Sequence, residues 1–367
     1  MSDITLIVGG ARIPIRDLGE QKINEQFKNL YSAYFSNGVF NNREFLLASH
    51  EYFDRHSKFQ EHDAYFNNFI PIWLSFFQRG DIKEAKEIWL LALRVAWDWE
   101  KKMSKDIHKG TPYYFLGGSC ILWKRFEKGF LLMHQAVKED ERIPNPKAPA
   151  ELFVTLDYSV EAQYFREIIQ KVADFLEGYL RRYSGQIDLE KLKNSFLKEN
   201  ELKETVFSFV YNLFRIYYVQ SDIDAKLKKN DFASLLETEI VFSLCRVIEN
   251  VIKKKNSTEK DLFKHILFIS RKGGLTLNQI KMGQISNSFK NDFPQTLQNI
   301  LNSNYTFSDG SAMSDIEKSL TIVYGFRNFG AHEIENQPLI YENFEKIVEH
   351  VMNSLFFCIE KLYLSSA

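Results

Sequence analysis

This chain has almost no net charge: 47 Lys and Arg are balanced by 48 Asp and Glu over 367 residues, leaving −1. Such a balance gives no overall attraction to nucleic acid or to an anionic membrane, so contact with either has to be local. Cysteine is nearly missing. Cys120, Cys245 and Cys358 stand far apart inside apolar segments, which argues against a disulfide framework or a zinc site and predicts buried free thiols in a reducing cytoplasm. No stretch reaches the roughly 18 uninterrupted apolar residues of a membrane span, and residues 1–10 lack the basic start and apolar core of a secretion signal. The expectation is a soluble, cytoplasmic protein. Also missing are a phosphate loop, a dinucleotide fingerprint, a nucleophile elbow and a kinase signature, and His56 and His62 do not form a metal-binding pair. Neither a metal nor another cofactor is expected.

What is abundant is aromatic: 32 Phe and 17 Tyr, in a chain that is 45% hydrophobic and holds only 8 Pro and 17 Gly. That composition suits a helical protein packed with rings. At this length two domains are the better expectation than one core. The only strand signal lies in residues 4–16, where β-branched residues flank Gly9-Gly10 and predict a short hairpin. From about residue 20, apolar residues recur at three and four positions, the pattern of consecutive amphipathic helices. The fold class is therefore all-α.

Three divisions follow. Residues 1–149 form the first, ending in Ile143-Pro144-Asn145-Pro146-Lys147-Ala148-Pro149, which concentrates three prolines and reads as a linker. Within it, Gln78-Arg79-Gly80-Asp81 separates two helices, and Ala85 and Ala92 around Trp89 allow close helix approach. This resembles a tetratricopeptide repeat, although Pro71 falls inside the expected first helix and Trp73 stands where a Gly is usual. A second such unit spans about Gly110 to Arg142, with Gly117, Gly129, Met133 and Ala136 at the repeat's offsets. Residues 150–230 are expected as connecting helices, one of them starting at Asp188. Residues 231–367 form the last division: a helix from Asp231 to Lys255, breaks at Gly273-Gly274 and in 302–313, a helix from Ser314 or Asp315, and a final helix near 341–364.

One short segment carries chemistry. In Tyr324-Gly325-Phe326-Arg327-Asn328-Phe329-Gly330-Ala331-His332, an Arg and a His are separated by four residues at a helix end. On a continuous helix, residues five apart differ by about 140° in direction. Gly330 is expected to end the helix in a left-handed conformation and let His332 fold back beside Arg327. The spacing alone is weak, because Arg43 to His50 and Arg55 to His62 fit a loose version of it, but Arg43 is followed by Glu and Arg55 by His, and neither has a helix-ending Gly before its His. Arg327-Asn328 followed by His332, within a set of long helices, resembles the HEPN superfamily over roughly residues 231–367.

The resemblance implies an antiparallel helical bundle and a metal-independent endoribonuclease. His332 would serve as general base or acid, Arg327 would stabilise the phosphorane, and Asn328 would orient one of them. The family usually assembles its site across a two-fold axis, so a homodimer is implied. A carboxylate on the opposing helix is also implied, and among Glu237, Glu239 and Glu249 the apolar neighbours Ile240, Phe242, Leu244 and Val247 favour Glu239. Lys254, Lys255, Arg271 and Lys272 are candidate RNA contacts. Such proteins commonly act as toxins or antiviral effectors, with the N-terminal domain answering to a protein or nucleotide trigger. The alternative is a non-catalytic, peptide-binding scaffold that dimerises through its last helices.

Overall fold

A computed structural model describes residues 5–8, 11–14, 29–30, 33, 41–143, 149–218, 231–330 and 337–364. The fold is all-α, apart from one antiparallel hairpin of β1 (Thr5–Val8) and β2 (Ala11–Pro14), in which Thr5 pairs with Pro14 and Val8 with Ala11. The turn expected at Gly9-Gly10 and the proline linker at 144–148 lie outside the described residues. The chain divides into two compact units, Met1–Glu151 and Leu152–Ala367. Of residues 150–230, expected to connect two domains, those from Leu152 onward fall within the second unit. Two residues in this stretch bond to the long helix beginning at Asp231, as described below.

In the first unit, α1 (Asn42–Arg55) begins where the Asn41 side chain accepts from the Glu44 N–H at 3.2 Å. After the short α2 (Asp63–Asn67) come α3 (Ile70–Gln78) and α4 (Ile82–Met103). Pro71 sits in the first turn of α3 rather than inside it, where its missing N–H has no helical partner to lose. Gly80 takes φ +77° between the two helices, a conformation that glycine adopts without strain. One face of α4 buries Ala85, Ile88, Trp89, Ala92, Leu93, Ala96 and Trp99, the three-and-four spacing of a core-facing stripe. Next come α5 (Gly110–Leu122) and α6 (Phe126–Asp140). Trp89 stacks on Phe115 of α5 with ring centroids 5.2 Å apart, and the Trp73 indole donates to Ser119 Oγ at 3.0 Å. The large residue at 73 therefore packs and bonds where a small one was the repeat's norm.

The first unit also holds a buried charge cluster. His108 is fully buried, with Nδ1 3.2 Å from Asp63 and Nε2 3.4 Å from Asp140. Burial alone would lower the pKa of this imidazole, but Asp140 and Asp63 outweigh it and carry the value up to about 9. Burial also pushes the Asp140 carboxyl up, against the pull of His108. A histidine raised in this way stabilises the fold fully below its ordinary value near 6.5, and loses that contribution as pH climbs through its folded value. The thermal midpoint of the first unit should accordingly fall by several degrees between pH 6.5 and 9.5. His108→Gln should start lower and show a flatter profile by circular dichroism; equal slopes for the two proteins would rule out His108 as the cause.

In the second unit, α7 (Pro149–Val154), across which the division falls, leads to α8 (Arg166–Arg182), the single turn α9 (Leu189–Leu192) and α10 (Lys203–Tyr218). Asp188 caps α9 as expected, its carboxylate accepting from the Lys191 N–H at 2.8 Å. The long α11 spans Asp231–Lys255 and ends in three lysines, the sign its dipole favours. Asn212 of α10 donates to Ser243 of α11 at 2.8 Å, and Arg215 pairs with Glu239 at 3.2 Å. Then follow α12 (Leu262–Gly273), closed by Gly274 at φ +69°, α13 (Gln279–Asn291), α14 (Phe293–Leu301), α15 (Asp315–Gly325), α16 (Gln337–Glu342) and α17 (Phe344–Ile359). Cys120, Cys245 and Cys358 are buried and free, and burial raises each thiol. No helix among the described residues is long and apolar enough to cross a membrane.

The start of α15 is fixed by one carboxylate. Glu317 is 2% exposed and accepts from the Ser314 N–H and hydroxyl and from the Thr276 N–H and hydroxyl, all within 2.9 Å. Burial pushes its pKa up, but these donors together hold the carboxyl below the usual range. Ser314 and Glu317 form a reciprocal capping box, the arrangement that satisfies two orphan donors of a helix start. Tyr324 then donates to Ser286 of α13 at 2.9 Å, so α15 is held at both ends before the chain reaches Arg327.

Candidate active site

Beyond Gly325 the chain does not end its helix in a left-handed residue. Phe326–Gly330 instead forms a π-helical turn, and Gly330 is a buried member of it. Positive-φ glycines among the described residues are Gly80, Gly274 and Gly310. The glycine at 330 has a different reason: a Cβ there would come within 2.8 Å of the Phe293 ring and 2.9 Å of Phe326. Gly325 is constrained likewise, since a Cβ would run into the ring of Phe289. Both glycines let phenylalanines approach the backbone. His332 lies outside the described residues, as do Ala331 and residues 333–336.

Arg327 leaves this turn toward α11. Its Nε donates to Glu249 Oε2 at 2.7 Å, and its guanidinium carbon lies 5.3 Å from the Phe242 ring centroid. The pair is partly shielded, with side-chain exposures of 33% and 18%, so it is screened less than a surface pair would be. The carboxylate beside the arginine is thus Glu249, not Glu239. Glu239 is exposed on its side chain and belongs to Arg215, while Glu237 is buried elsewhere on the same helix. Phe242 and Glu249 are seven residues apart and share a face of α11, whereas Glu239 and Glu249, ten apart, point about 80° from each other. Buried apolar neighbours mark a helix as half-sunk; they do not say which face meets a given arginine.

Asn328 and Phe329 take another direction. They line a cleft of about 430 Å³ with Phe289, Lys290, Asp292 and Phe293. Phe326 is 1% exposed and meets Phe293 edge-on, while half-buried Phe329 stacks on Phe289 at 13° with centroids 6.2 Å apart. Phe326 is therefore a core residue, and Phe329 lies between core and cleft. Hydrogen-bonding and charged groups from Asn328, Lys290 and Asp292 surround an aromatic wall there. Nothing in the spacing of residues 289–294 singles them out, because the cleft exists only once α13 turns into α14.

The chain matches no protein-family model, no curated protein and no solved structure. The basic candidates are arranged as helix ends: Lys254 and Lys255 are exposed in the last turn of α11, and Arg271 and Lys272 in the last turn of α12. Lys255 Nζ sits 4.6 Å over the Tyr363 ring, and Arg271 Nε donates to the Leu267 carbonyl at 3.3 Å. A histidine that the sequence gave no reason to notice adjoins the pair: His265, fully buried, feels the charge of Glu249, has Nδ1 3.3 Å from Asn256, and leaves Nε2 without a hydrogen bond. Burial lowers its pKa, which suits a neutral core imidazole rather than a proton carrier. Among the described residues no group of three or more His, Cys, Asp or Glu is arranged to hold a metal.

Proposed function

We propose that this protein is a metal-independent endoribonuclease acting as a homodimer, with Arg327 and His332 as its catalytic residues. The observation carrying the reading is the Arg327–Glu249 pair: a guanidinium fixed at its Nε edge by a carboxylate keeps its terminal nitrogens for the bidentate grip that suits a phosphate. In the reaction, the 2′-oxygen of a ribose attacks the adjacent phosphorus as its proton leaves, and the P–O bond to the 5′-oxygen breaks as that oxygen is protonated. His332 performs one of these transfers and its counterpart across the two-fold axis performs the other, since an imidazole exchanges protons near neutrality. Arg327 stabilises the extra negative charge of the five-coordinate phosphorus. Asn328, facing a cleft with an aromatic wall, contacts RNA beside the scissile bond.

In biological terms the reading is a toxin or antiviral effector whose first unit restrains or releases the activity of the second. Basic side chains at the ends of α11 and α12 supply local attraction to RNA in a chain of nearly zero net charge. The direct test is incubation of the full chain with a long RNA in excess EDTA. Fragments ending in 2′,3′-cyclic phosphate are expected; intact RNA at high protein concentration would leave the scaffold alternative standing instead.

A further inference from the structure

The first unit contains a second, smaller cavity, of about 200 Å³. Its walls are aromatic. Trp99 and Phe53 meet at 5.1 Å between centroids, and His62 stands edge-on to Phe53 at 5.5 Å and at 6.4 Å from both Trp99 and Phe59. Trp99 and His62 are 1% and 3% exposed; the indole Nε1 has no hydrogen-bond partner, and the His62 ring has one backbone partner, at His56, which leaves its other nitrogen without one. Each buried polar group left so costs about 1–3 kcal/mol. Two such atoms on residues that line one cavity are an arrangement that packing alone does not favour, whereas a ligand supplying partners removes the penalty.

The chemistry of that ligand follows from its surroundings. The volume is below the roughly 300–1,000 Å³ of sites that hold drug-sized molecules, so it admits one aromatic ring or a fused pair. Trp99 is a donor only. Burial lowers the pKa of His62, and the neutral ring offers one donor and one acceptor. At the mouth, Asp106 is already paired with Arg142 at 2.7 Å, and Arg142 lies 4.4 Å over the outer face of Phe59. Lys105 also lines the mouth. The acid that lines the cavity is therefore already paired, and apart from Lys105 the rest of the lining is aromatic or neutral. We infer that the first unit binds an uncharged, planar, nitrogen-containing aromatic ring of nucleobase size in the cavity between Phe53, Phe59, His62 and Trp99.

Titration calorimetry of the full chain with free adenine, and separately with benzene, tests this. Adenine should bind saturably with Kd below about 1 mM, and benzene at least tenfold more weakly, about the ratio expected when one hydrogen bond to a buried group is lost. His62→Phe should weaken adenine by about tenfold or more on the same basis. Should that core variant fail to fold, Ser57→Trp, at an exposed position lining the mouth, should block binding while leaving the thermal midpoint unchanged. The inference is overturned if adenine does not saturate by low millimolar concentration, if benzene binds equally well, or if the folded variants bind adenine as the parent does.

Discussion

Arg327→Ala should lower the rate of RNA cleavage by about 10²–10³-fold, the loss seen when one preorganised donor to a developing oxyanion is removed. His332→Ala should be at least as severe, since it removes a proton transfer from each half-site of the dimer. Arg327→Lys keeps the charge but not the planar fork, and should recover only a small part of the rate. The informative comparison is between carboxylates. Glu249 accepts from Arg327 and Glu239 from Arg215, so Glu249→Gln should depress cleavage while Glu239→Gln leaves it near normal. Initial rates on a single fluorescent RNA, with thermal midpoints measured alongside, resolve these cases. Folded Arg327→Ala and Glu249→Gln proteins that cleave at the parent rate would remove the basis for placing catalysis here.

A second pair of substitutions should produce opposite effects from the same chemical change. In α6, a Cβ at Gly129 would approach the Gly117 carbonyl oxygen to 2.9 Å and the Ile121 N to 3.0 Å, besides colliding with the Ile121 side chain. Two of these neighbours are backbone, and α5 cannot retreat without opening the packing around Phe115 and Ser119. Gly129→Ala should therefore cost about 2–3 kcal/mol and lower the thermal midpoint by roughly 5–10 °C. Gly283 in α13 has nothing within 4 Å of the same position. There Ala relieves the helix of an entropic cost and should gain about 0.5–1 kcal/mol. Calorimetric melting of the two variants against the parent checks both signs.

These examples also show which parts of the molecule were legible beforehand. Local chemistry was readable: Asp188 and Ser314 start helices, Gly274 ends one, and the three lysines close α11, because each rule involves a residue and a backbone group within a few positions. The Gly117 and Gly129 pair was noticed for its offsets, though not for the carbonyl contact behind it. Long-range choices were not readable. Selecting Glu239 over Glu249 required knowing the azimuth at which a residue nearly 80 positions away arrives. Gly330 looked like a helix stop, but its partner is Phe293, supplied by the junction of α13 and α14. Cavity chemistry was equally hidden, since His62 and Trp99 are 37 residues apart by number and nothing in either neighbourhood announces that they line one cavity.

The π-helical turn at Phe326–Gly330 has a consequence for how this segment can change over time. Such a turn is an ordinary helix that has absorbed one additional residue as a sideways bulge. Losing that residue would restore regular winding and swing everything beyond it by about 100° around the axis. Arg327, near the start of the bulge, would still reach Glu249, whereas whatever follows Gly330 would be rotated relative to it. If Arg327 and His332 act together as proposed, a one-residue deletion here is expected to abolish cleavage while leaving the Arg327–Glu249 pair in place.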